Sequence, residues 1–232
     1  EAPNVVPDKA SVWYYVRNTD ERLEDMYRRV VNCAKAGALA AGVELASMRV
    51  VSAIHQRHAN KAAAELFQKN IELVGMPAWS EEEQAFAKAL QKELGAEEKG
   101  LPSKVDELEA PRGGQAMGGG SSDVGDVTLI APTATITFPG SAPGSIGHHW
   151  SNVACWYGST ARKGLNAGAK AIAASAVDLL TKPEELAKLR KEFEEYSETH
   201  PYKPFLPEDA TPPNDLNKEL MDKYRGLLEK AL

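Results

Sequence analysis

APNVVPDKASVWYYVRNTDERL, residues 2–23, is the stretch on which the fold class turns. Val12, Tyr14 and Val16 alternate with Trp13, Tyr15 and Arg17, the period-2 pattern of a half-buried strand rich in β-formers. Asn18-Thr19-Asp20 then offers N-cap residues, and Leu23, Met26, Val30 and Val31 share one face of a helix expected to run to Gly42. A second strand is expected over 44–52, where Leu45, Met48, Val50 and Val51 cluster. The opening ~55 residues therefore read as a strand-helix-strand unit, too small to be a stable domain alone.

Further along, Asn60 is placed to cap a helix carrying Leu66, Phe67, Ile71 and Val74, which Gly75 and Pro77 end. Ser80 and Glu83 fit a capping box, opening a helix striped with Phe86, Leu90 and Leu94 before Gly95. Residues 95–120, polar and glycine-rich, read as a mobile loop. VTLIAPTATITF, 127–138, reads as a buried strand pair or one long strand broken at Pro132. From about Ser159 the small residues Gly164, Ala167, Gly168, Ala171 and Ala174 predict a helix that another backbone approaches closely. Pro183 starts the next helix in its first turn, and Leu216, Leu220, Tyr224 and Leu227 mark a last one. The expected fold class is α/β.

The chain has 232 residues, 43% hydrophobic and 26% charged, enough for one large or two modest domains. A net charge of -6 without a Lys/Arg run argues against a nucleic-acid binder, since such binding needs a clustered basic face. No apolar run reaches the ~18–20 residues that cross a bilayer. Cys33 and Cys155 lie far apart among apolar neighbours, which fits buried free thiols better than a disulfide.

Three features could carry chemistry. GGGSSDVGD, 118–126, is a glycine-rich loop whose backbone N–H groups can face an anion, although glycine also suits any plain turn. It lacks the GK[ST] ending of a phosphate loop. Gly147-His148-His149-Trp150 offers imidazole for a metal or for a hydrogen-bonded turn, and no HExxH or Cys/His cluster accompanies it. Asn4 and Arg17, with His55, Arg57, His58 and Asn60 further on, could form an anion site, because guanidinium matches a carboxylate in two-point contact.

Taken in order, these features resemble one family. APNVVPDKASVWYYVR resembles the Asn-Val-Ile-Pro-Asp stretch leading to an Arg-ending strand in the lid of dinuclear zinc aminoacylases and carboxypeptidases. GGGSSDVGDV resembles the family's glycine-rich loop, and PGSIGHHWSNVA its late metal-ligand histidine, in the style of the p-aminobenzoyl-glutamate hydrolase (amidohydrolase) branch. The resemblance implies the C-terminal half of an α/β catalytic domain over 59–232, preceded over 1–58 by part of an inserted ferredoxin-like lid used for dimerisation. It implies two zinc ions, with manganese or cobalt as alternatives, and His148 as the final zinc ligand. Asn4 and Arg17 fall on positions that contact the substrate carboxylate. Gly119, Gly120 and Ser121 fall on the loop lining its pocket, and His58 and Asn60 on a lid segment near the site. The catalytic base and the other ligands belong to an N-terminal half outside this sequence. Ala161-Arg162-Lys163-Gly164 departs from the Ala-His-Lys-Gly of close relatives.

The expected function is metal-dependent hydrolysis of an amide bond in N-acyl amino acids or small peptides such as aminobenzoyl-glutamate, as a homodimer and with no nucleic-acid or membrane partner. Two zincs would polarise the carbonyl and acidify a bridging water. The alternative is a non-catalytic carboxylate- or peptide-binding protein that keeps the fold.

Overall fold

The computed structural model describes residues 4, 6–7, 10–109 and 120–231. Among them the chain forms eight helices and no β-strand: α1 (Asp20–Ala41), α2 (Lys61–Val74), α3 (Glu81–Glu93), α4 (Val124–Thr128), α5 (Trp150–Tyr157), α6 (Ser159–Thr181), α7 (Pro183–Thr199) and α8 (Lys218–Ala231). This overturns the α/β expectation and its ferredoxin-like lid. Residues 10–19 and 43–59 are non-helical, yet no backbone hydrogen bond joins 10–18 to 43–54 among the described residues. Alternation fixes which side chains would share a face, but a strand exists only when a neighbour supplies its ladder. Accordingly Val12, Trp13, Tyr14 and Tyr15 stand in solvent. The expected strand at 127–138 begins instead as α4, because Asp123 O accepts from Asp126 N and Val127 N and closes a helical turn.

The described residues divide into two compact units. One comprises those of segments 1–56, 115–122 and 203–232, the other those of 57–114 and 123–202. In the first, α1 follows its sequence signals: Thr19 is the N-cap, and Gly42, at φ 66°, closes the helix with its N–H on Ala38 and Leu39 carbonyls. Leu23, Met26, Val30 and Val31 are half-buried at helical spacing. Polar contacts hold this unit. Arg49 donates to both oxygens of Asp215 at 2.8 and 3.0 Å, and His55 Nδ1 lies 2.9 Å from Asp20 Oδ2.

Every fully buried apolar side chain among the described residues lies in the second unit. Here α2 packs on α6 and α7, and α6 also packs on α5 and α7. Asn60 caps α2 as its position predicts, its Oδ1 accepting from Ala63 N while Nδ2 donates to Leu189 O on α7. Ser80 and Glu83 form the expected capping box. The small residues of α6 do what small residues permit: at Gly164 a Cβ would overlap the Pro139 carbonyl oxygen, and Ala167 and Ala171 are buried.

Ala87, Leu90, Leu101, Ala142 and Cys155 make one buried cluster. Leu101 belongs to the segment read as a mobile loop; Gln84 Oε1 accepts its N–H at 2.8 Å, which fixes that part of it. The rest of that expectation, 110–119, lies outside the described residues. Both cysteines are free as expected, with Cys155 buried and Cys33 exposed. The α1 sequence gives Cys33 no buried face to join, since α1 has no fully buried residue.

Candidate functional site

His148 sits in a turn that the core holds from two sides. Gln91, wholly buried on α3, donates to Pro143 O at 3.1 Å and also clasps Gly100 through both of its amide atoms. From α5, Asn152 Nδ2 donates to Ile146 O at 2.8 Å and Trp156 Nε1 to Ser141 Oγ at 3.0 Å. Between these anchors His148 adopts φ 55°, a left-handed conformation that histidine visits more readily than most residues. Its imidazole is exposed and bonds to none of the described residues. Its neighbour has a different task. His149 is the N-cap of α5, with Nδ1 near Ser151 N at 3.4 Å and Ser151 Oγ at 3.1 Å. The His-His pair thus splits into a helix cap and a presented ring.

The other expected residues are distributed between the units. Arg17 is exposed with its guanidinium 5.4 Å from the Tyr15 ring centroid, and Asn4 is exposed. Gly120 and Ser121 are exposed, and Gly119 lies outside the described residues. In the second unit, His58 stacks on Tyr196 at 3.6 Å between centroids, and Tyr196 stacks on His200 at 4.1 Å. Burial pushes the His58 imidazole below its ordinary range, partly offset by Glu192. Asn60 spends its amide on the α2 cap and on Leu189, so its side chain serves the fold.

Two polar assemblies join groups that no local sequence signal links. Burial would raise the Glu83 carboxyl, but it accepts from Lys163 Nζ at 2.6 Å, Ser159 Oγ at 2.5 Å and Ser80 N at 2.7 Å, which together lower it to about 2. The capping box was a clue to Glu83; its pairing with a lysine 80 positions away had no local signal. In the first unit, Asp20 accepts from Gln56 N at 2.8 Å and faces His55 Nδ1, while His55 Nε2 lies 2.8 Å from Lys203 O and the ring stacks on Phe205.

No family model matches the chain, and no solved structure matches it. Across 234 aligned residues it is 27% identical to one subunit of the p-aminobenzoyl-glutamate hydrolase of Escherichia coli (strain K12), over 91% of this chain and 48% of that protein. The chain resembles a p-aminobenzoyl-glutamate hydrolase subunit. It spans about half the length of that relative.

The name of that relative is that of a hydrolase, so the donor set matters. Among the described residues no three His, Cys, Asp or Glu side chains gather where they could hold a metal ion. A zinc centre needs three or four protein ligands, and His148 is a single presented donor. The described residues therefore do not by themselves fit a zinc centre.

Proposed function

We propose that this chain is part of a hydrolase that cleaves the amide bond of an N-acylated amino acid or small peptide, p-aminobenzoyl-glutamate being the substrate to try first. The similarity to a hydrolase subunit across 91% of the chain carries this reading. The presentation of His148 supports it: a ring held in a braced turn, unbonded to the described residues, is ready to act on something outside itself. In this reading His148 would be the one ligand this chain contributes to a zinc centre, whose other ligands would come from other polypeptide. Arg17 and Asn4 hold the substrate carboxylate. A guanidinium matches a carboxylate in two-point contact, which supports this role for Arg17. Gly120 and Ser121, as exposed backbone and hydroxyl donors, belong to the same proposal. Homodimerisation through residues 1–58 belongs to the same proposal, supported by the exposed Val12–Tyr15 run.

The test is chemical. The chain, purified with the polypeptide that completes it, is incubated with p-aminobenzoyl-glutamate, and p-aminobenzoate and glutamate are followed by liquid chromatography beside metal analysis. Cleavage with bound zinc is expected. An assembled protein that takes up no metal and releases neither product would end the proposal.

A further inference from the structure

Helix α6 has a covered face of small residues, and among the described residues a second, largely apolar arc lies uncovered along 165–180. Gly164, Ala167, Ala171 and Ser175 are buried, on the side from which α2 and α7 pack. At 100° per residue the opposite side carries Leu165, Ile172, Val177 and Leu180, which are 76%, 59%, 56% and 85% exposed. From Leu165 to Leu180 the gaps on that side are filled by Ala169, Ala173, Ala176 and Asn166, all exposed, with Lys170 at its edge. At 1.5 Å per residue the stripe is about 22 Å long. On α5, Val153 and Trp156 add large exposed apolar surface at 67% and 63%.

A solvent-facing helix places polar residues opposite its packed face, whereas a helix apolar all round lies inside a protein between two layers. The second layer of α6 is not among the described residues. The comparison indicates how much chain such a layer could draw on, because the relative is about twice as long as the part matched here. We infer that the outer face of α6, with Val153 and Trp156 of α5, is the docking surface for the polypeptide that corresponds to the unmatched half of the Escherichia coli hydrolase subunit. This rests on the reading that the chain is part of a larger hydrolase, and it names the surface on which that enzyme is assembled.

The experiment combines this chain with the unmatched half of that Escherichia coli protein and measures complex formation by size-exclusion chromatography with light scattering. Leu165→Asp and Ile172→Asp are compared with Leu39→Asp, a leucine on α1 that is more exposed than either. All three leave the helical circular dichroism of the isolated chain in place, and Ile172→Asn serves as a milder version. A complex with the unaltered chain is expected, weakened at least ~30-fold by either α6 variant, the scale of one interface hot spot, and untouched by Leu39→Asp. Amide hydrogen exchange across 165–180 slows on assembly, a readout that needs no variant. If the α6 variants assemble as tightly as the unaltered chain and exchange there is unchanged, the surface is wrong although the larger reading survives. No complex with the unaltered chain removes both. Self-association abolished by the same variants makes the occupant a second copy and overturns the assignment.

Discussion

Replacing Glu83 by Gln keeps the size of the side chain and its amide-for-carboxylate shape, but removes the charge that Lys163, Ser159 and Ser80 N–H converge upon. The carboxyl lies at about 2 against an ordinary value of 4.5. At 1.36 kcal/mol per pKa unit this corresponds to about 3 kcal/mol of native-state stability. The Glu83 side chain is only 8% exposed, but Lys163 is 39% exposed; water screens its part of the interaction, so about 2 kcal/mol is the working figure. Because the folded value is depressed, this stability is complete above about pH 4.5 and is lost as the pH falls toward about 2. Burial lowers the His58 imidazole from its ordinary value in both proteins, so its titration cancels in the difference between them. Urea unfolding followed by circular dichroism at pH 7, 4.5, 3 and 2.5 tests the account. Glu83→Gln should be about 2 kcal/mol less stable at pH 7, and the difference from the unaltered chain should shrink steadily below pH 4.5. A double-mutant cycle with Lys163→Met should show coupling of about 1–2 kcal/mol. A variant whose stability runs parallel to the unaltered chain down to pH 2.5 would refute the reasoning.

Asn60→Ala removes the α2 cap and the bond to Leu189 O together, at a cost of about 2 kcal/mol measured by urea unfolding. Gly164→Ala should destabilise by about 1–2 kcal/mol in the same assay, because overlap with the Pro139 carbonyl outweighs the ~1 kcal/mol that alanine gains in helix propensity. His148→Asn keeps a residue that tolerates left-handed backbone and should change stability by less than about 0.5 kcal/mol. On the proposed hydrolase reading, the same variant in the assembled protein should lower zinc content, read by metal analysis, and hydrolysis by more than the ~10–100-fold of an outer-shell change. Arg17→Met should raise KM for a carboxylate substrate about 10-fold with little change in kcat, since charge-assisted bonds contribute ~1.5–3 kcal/mol.

Reading the chain succeeded wherever the deciding hydrogen bonds are local. The caps at Asn60 and Ser80, the glycine stops at Gly42 and Gly75 and the Pro183 start each join groups a few residues apart, so a short window of sequence contains both partners. The close approach at Gly164 was legible for a related reason: a run of small residues states that something must come near, without saying that it is Pro139. Strands failed because their bonds are never local. Val12–Val16 and Val127–Phe138 have the right residues, yet a ladder needs a partner segment, and the pattern alone cannot supply one.

The candidate site divides in the same way. The family resemblance of the sequence, not residue type alone, pointed to His148, Arg17 and the glycine-rich loop for metal and carboxylate chemistry. Only tertiary structure assigned His149 to the α5 cap and left His148 presented, because the bracing runs from Gln91 and Asn152 on two different helices. Only tertiary structure, likewise, put Lys163 beside Glu83 and left the outer face of α6 bare. Which groups share a cavity or a surface depends on how distant segments fold onto one another, and burial, charge pairing and exposure are properties of that packing.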